Sequence, residues 1–128
     1  MLQIFTKEIT VQKTDLDQLN HVNNVRYVQW VQDIAEAHWL KNASSIILEK
    51  YYWVLVKHTI DYKGQAFHND KILIKTFVVA AEGVTSIRKV EMYNNEKLII
   101  SSETKWCLID AKSNRPYRVN SEIAQLFN

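Results

Sequence analysis

Between residues 27 and 39, Tyr27, Trp30, Val31, Ile34, His38 and Trp39 recur at spacings of three and four, so one helical face would carry all of them. Arg26, Gln29, Asp33, Glu36 and Lys41 occupy much of the remainder. The pattern predicts an amphipathic helix of about four or five turns at 3.6 residues each, ended by Asn42 and the serines at 44 and 45. The rest of the chain reads as strands. A lone helix with a broad apolar face has to bury it, and only a sheet is available to receive it.

QIFTKEITVQ, residues 3 to 12, has the β-branched and aromatic content of a strand. YYWVLVKHTIDY alternates after Trp53, which predicts Val54, Val56, His58 and Ile60 on one side. DKILIKTFVVAA runs to a turn at Glu82-Gly83, and TSIRKVEMYNN to a second turn at Asn94-Asn95. KLIISSETKWCLID then extends to Asp110. These turns predict an antiparallel meander of four consecutive strands. KSNRPY is expected to be a loop holding the only proline, Pro116, and SEIAQLFN a short closing helix capped by Ser121. The expected architecture is α+β: a curved antiparallel sheet wrapped around one long central helix, in a single domain spanning residues 1–128. Its free edges would be protected by pairing with a second copy.

Composition narrows the function. A chain of 128 residues has room for one core, and 47% hydrophobic content is enough to build it. The net charge of +2, from 16 basic and 14 acidic residues, is too small and too scattered for a nucleic-acid partner. The lone Cys107 cannot form an internal disulfide, which fits a reducing compartment. Lys7 and Glu8 fall where a signal peptide would be apolar, and YYWVLV is far too short to cross a membrane. The expectation is a soluble cytoplasmic protein without a membrane partner. Only Gly64 and Gly83 exist, which rules out the usual P-loop, dinucleotide fingerprint and G-x-S-x-G nucleophile elbow. His38, His58 and His68 lack metal-ligand spacing, so no metal and no cofactor are expected.

The remaining concentration of chemistry is DLDQLNHVNNVRY, residues 15 to 27, immediately before and within the start of the helix. Asparagine and aspartate are the usual helix caps and turn formers, so Asp15 and Asp17 have a purely structural reading. The segment also closely resembles the D-x-D-x-x-x-H-V-N-N-x-x-Y signature of hotdog-fold thioesterases, both the acyl-CoA enzymes related to hydroxybenzoyl-CoA thioesterase and the plant acyl-ACP thioesterases. HTIDYKGQAFHND and ETKWCLIDAKSNRPYRV continue the resemblance more loosely.

The resemblance implies a hotdog fold, a homodimer or a tetramer (dimer of dimers) with active sites between subunits, and metal-free hydrolysis of acyl-CoA or acyl-ACP. It assigns Asp17 to the family's catalytic aspartate, His21 and Asn24 to the catalytic segment, and Asn23 and Tyr27 to the substrate site. Leu19 stands where the plant enzymes carry an asparagine, and Gln65 where they carry a glutamate, which moves this chain toward the simpler bacterial enzymes. Trp30 or Trp53 would wall an acyl tunnel, and Arg88 would meet coenzyme A phosphates from a strand surface.

The chemistry is coherent with those roles. A carboxylate is ionised at neutral pH and can attack the carbonyl or deprotonate water. A helix starting at Asn23 or Asn24 would aim unpaired amides of residues 24 to 27 at the developing oxyanion. One such donor is worth about 3 to 4 kcal/mol. A non-catalytic acyl-thioester binder and a hotdog dehydratase are the rival readings.

Overall fold

The computed structural model describes residues 2–128. Strand β1 spans Phe5–Thr10 and is followed by a single 3-10 turn, Lys13–Asp15. Helix α1 runs Asn24–Asn42, within the expected limits. The serines after it do more than stop it: Ser44 accepts a hydrogen bond from the Ile47 amide and caps a short helix α2, Ser45–Lys50, in place of the expected break. Strands β2 (Tyr51–Tyr62), β3 (Lys71–Glu82), β4 (Thr85–Asn94) and β5 (Lys97–Asp110) follow.

Two further differences lie near the C-terminus. Within the expected loop, Arg115–Pro116 forms a two-residue strand β6 against Ile109 and Asp110, beyond the point where β4 has stopped pairing with β5. Helix α3, Ser121–Ala124, is capped by Asn120 and not by Ser121, because the Asn120 carboxamide reaches the Ile123 amide at 3.0 Å.

The strands form one curled antiparallel sheet in the order β1-β3-β4-β5-β2. This corrects the simple meander. β3, β4 and β5 are consecutive hairpins, but β2 pairs with β5 and lies far from β3. The reason is the connection of residues 63–70. It is too long for a tight hairpin, and it crosses the sheet end, donating the Lys63 and Gly64 amides to the Ile99 carbonyl. Gly64 is needed there, because a β-carbon would come within 2.8 Å of Ile99 Cγ2. The β4–β5 turn is made by Asn95 and Glu96, both at positive φ (50° and 67°), one residue later than expected.

Bulges bend the sheet. In β2 the register slips between Leu55 and Lys57, in β3 between Val78 and Ala80, and in β5 at Ile99, opposite Met92 and Tyr93 of β4. The β2 bulge overturns the expected facing of that strand. An extra residue exchanges the two faces, so Tyr51, Trp53 and Leu55 are more buried before it and His58 and Ile60 after it. Val54 and Val56 are left exposed.

The core lies between α1 and the concave face. Tyr27, Trp30, Val31, Ile34, His38 and Trp39 are all buried, as their spacing predicts, and Ala35 joins them. Tyr27, Trp30, Val31 and Ile34 pack with Ile72, Ile74, Val90, Met92 and Ile100 from β3, β4 and β5. Each such buried side chain contributes roughly 1.5–3 kcal/mol. That burial, more than intrinsic propensity, holds a 19-residue helix in place.

Candidate active site

The loop between β1 and α1 is folded on itself. Leu16 and Val22 form a β-bridge; the Asp17 amide donates to the His21 carbonyl and the Asn20 amide to the Asp17 carbonyl. Asn20 closes this turn at φ 64°, a conformation asparagine tolerates well. Asp17 therefore stands at the turn's base. Its Oδ1 accepts the Leu19 amide at 2.8 Å, and its Oδ2 lies 3.4 Å from His21 Nδ1. The carboxylate is half-buried and lines an open depression with Lys13, Leu16, Asn20, Phe67 and His68.

Phe67 and His68 come from the 63–70 crossing. Val22 donates to the Ala66 carbonyl, His21 bridges Phe67, and Asp70 fixes the crossing by accepting from the Phe67 amide and from Asn94. Periodicity and motif spacing give Phe67 and His68 no site role. Their one signal in the sequence is the resemblance carried by HTIDYKGQAFHND. Gln65 is exposed and does not line the depression, and Leu19 is 67% exposed at the turn tip.

Asp15 has a different task. It is buried, accepts the Gln12 amide at 2.8 Å and pairs with Arg26 Nε at 3.0 Å. Its carbonyl accepts from the Asn23 amide, which ties the loop to the helix start. Asn23 caps α1 by accepting the Val25 amide at 3.1 Å, and its carbonyl takes the Arg26 amide. Of the first three helical amides, only that of Asn24 lacks a hydrogen-bond partner among the described residues. Within the expected set of amides from 24 to 27, those of Val25 and Arg26 are thus taken up by Asn23, and that of Asn24 stands at the helix tip. The helix start lines its own small recess with Asp15 and Arg26, adjoining the Asp17 depression at Leu16.

Tyr27 is 2% exposed, within the core. Burial pushes its hydroxyl pKa up to about 12, and the group faces the Ala66 backbone without forming a hydrogen bond of normal geometry. Trp30 packs edge-on against Tyr27 in the same core, with ring centroids 5.5 Å apart. Trp53 instead lines a separate cavity near the middle and end of α1.

Arg88 is not on the strand surface where contact with coenzyme A phosphates was expected. It is 5% exposed, pointing from β4 toward α1. Its Nη1 lies 2.9 Å from His38 Nδ1 and donates to Thr76 Oγ1 at 3.0 Å. The Thr76 hydroxyl in turn donates to the Lys89 carbonyl. His38 must therefore accept at Nδ1 and donate from Nε2 to Gln3 Oε1, 2.6 Å away. Burial, then Arg88, then Lys41 push its pKa down to about 4, so the ring is neutral. Among the described residues no three histidine, cysteine or acidic side chains gather as a metal site, and no helix is long and apolar enough to cross a membrane.

The architecture is that of a hotdog domain, and solved structures share it along almost the whole chain. Slr0204, a 1,4-dihydroxy-2-naphthoyl-CoA thioesterase from Synechocystis, matches with TM-score 0.82 at 19% identity, covering 96% of this chain and 94% of that one. The probable thioesterase YbaW from Escherichia coli matches with TM-score 0.82 at 23% identity, covering 94% of each. An aspartate-to-asparagine mutant of 4-hydroxybenzoyl-CoA thioesterase, complexed with 4-hydroxybenzoyl-CoA, matches with TM-score 0.88 at 11% identity, covering 98% and 99%. No curated protein matches in sequence. The family model of the acyl-ACP thioesterase N-terminal domain matches residues 3–127, and the chain belongs to that family.

Proposed function

We propose that this protein hydrolyses acyl thioesters, with Asp17 as base or nucleophile and the Asn24 amide as oxyanion donor. The observation that carries the reading is the Asp17 carboxylate, held by one backbone amide at the rim of an open depression, one residue from the recess at the helix tip. Family membership supports the same reaction.

Asp17 takes a proton from water, whose oxygen attacks the thioester carbonyl, or attacks directly to give a mixed anhydride that water then opens. In either route the carbonyl oxygen becomes an oxyanion beside an amide that already carries partial positive charge. The thiolate leaves without a strong acid. His21 steadies the second Asp17 oxygen, and Asn23 fixes the helix start that presents the amide.

The β2 edge supports a homodimer, or a tetramer built as a dimer of dimers. It is twelve residues long, unpaired on one side among the described residues, and leaves Tyr52, Val54, Val56 and Tyr62 exposed. Such a pairing would bring a second copy close to each site and complete its walls.

Thiol release measured across a panel of acyl-CoA and acyl-carrier-protein thioesters tests the proposal. Hydrolysis of at least one series, lost in Asp17→Asn, is expected. Saturable binding without thiol release would replace the enzyme by a binding module, and hydration of an enoyl thioester would replace it by a dehydratase.

A further inference from the structure

A second cavity, of about 350 Å³, opens between the middle and end of α1 and the strands β2, β4 and β5. That volume is at the small end of the range for small-molecule pockets. Its walls are Trp39, Trp53, Trp106 and Phe127, with Arg88 behind them and Glu36 exposed on the helix side. The rings are fixed: Trp39 meets Trp53 edge-on at 5.8 Å, and Trp106 Nε1 is anchored on Thr104 Oγ1 at 2.8 Å. Its helix residues, Gln32 to Trp39, lie roughly 12 to 22 Å along α1 from Asn24 at 1.5 Å per residue. Within one chain it is a different site from the Asp17 depression.

Arg88 is the unusual component. A buried guanidinium ordinarily meets a carboxylate, because desolvating the charge is expensive. Here no acidic side chain lies within ion-pair distance among the described residues, Glu36 included. The Phe127 face, 5.1 Å from Arg88 Cζ, compensates only in part. His38 and Thr76 occupy both protons of Nη1. The Nε–H and the two Nη2 protons have no partner among the described residues, although the residue is 5% exposed and lines the cavity. Nε and Nη2 form the side of the fork that binds a carboxylate through two parallel hydrogen bonds.

We propose that this cavity is a binding site for a small carboxylate carried on a flat apolar body, the carboxylate pairing with Arg88 and the body lying among the tryptophans. The inference does not depend on thioester hydrolysis at Asp17. Uncharged ligands of the same shape would bury the same rings and leave the guanidinium unpaired. Charge selectivity is therefore its signature.

The test uses the whole protein, with phenylacetate and its uncharged isostere phenylacetamide as probes. Fluorescence of the lining tryptophans and calorimetry report binding. Phenylacetate is expected to bind at least about tenfold more tightly than phenylacetamide, and Arg88→Gln to abolish that difference. Should Arg88→Gln fail to fold, the Arg88 Nε–H resonance of the wild-type protein supplies the answer: it shifts on adding phenylacetate and stays in place with phenylacetamide. Equal affinity for the two probes, no saturable response up to about 10 mM phenylacetate, or resonance shifts confined to the Asp17 loop would each overturn the proposal.

Discussion

At the start of α1 the polar side chains come from consecutive residues, 15 to 24, and line depressions open to solvent. Further along, Gln3, His38, Thr76 and Arg88 come from the N-terminal segment, the helix and two strands, and are enclosed beneath Phe5 and Phe127. The first cluster has its partners mostly in backbone amides a few residues away. The second has none without the tertiary fold. Chemistry needs accessible groups held locally; a buried polar network depends on, and reports, the packing of distant segments.

The largest expected effect separates these two roles at a single amide. In Asn24→Pro the N–H at the helix tip disappears, while the first helical position accepts proline and Asn23, at φ −64° and ψ 134°, already has the extended conformation required before it. Thioester turnover is expected to fall by about 10²–10³, the loss of one oxyanion donor, with the helix intact by circular dichroism. Unchanged turnover would remove the Asn24 amide from the mechanism.

The next effect belongs to the buried cluster. His38 titrates near 6.5 when unfolded and at about 4 when folded. Above pH 6.5 both states are neutral and the full stability is present. As pH falls from 6.5 toward 4 the unfolded chain takes up a proton that the folded one refuses, so stability declines and then levels off below 4. The contribution is on the order of 3 kcal/mol at 1.36 kcal/mol per unit. Urea unfolding at pH 7 and pH 4.5 should show this loss in wild type and a smaller one in His38→Gln. Equal losses would mean that His38 is not the titrating group. The smallest effect is at the cap, where Asn23→Ala should lower stability by about 1 kcal/mol through loss of the Val25 bond. A change within measurement error would show the loop to be held by Asp15 alone.

The same contrast explains what could be read from the amino-acid order. The helix face, the strand spans and the tight turns depend on periods of 3.6 and 2 and on local turn chemistry, so Tyr27 to Trp39 and the β3–β5 hairpins were legible. The Asp17 loop was legible because its residues are contiguous. What escaped depends on long-range pairing: β2 beside β5, the bulge that turns Val54 and Val56 outward, and β6 replacing β4 at the end of β5. Arg88 alternates with apolar Val90 and Met92 on the inward face of β4, yet charge alone suggested the surface. Its cavity forms only when α1, β2 and the C-terminal Phe127 converge.

Asp17 is the residue where structural and chemical readings compete most directly, because its Oδ1 also closes a turn on Leu19. Asp17→Asn keeps that oxygen acceptor and removes only the negative charge. Turnover and urea unfolding measured on the same Asp17→Asn sample decide between them. The account predicts a fall in kcat/KM of at least about a hundredfold, more than about 2.7 kcal/mol of barrier, with unfolding free energy within about 0.5 kcal/mol of wild type. Wild-type turnover, or a loss of activity matched by a loss of folding, would contradict it.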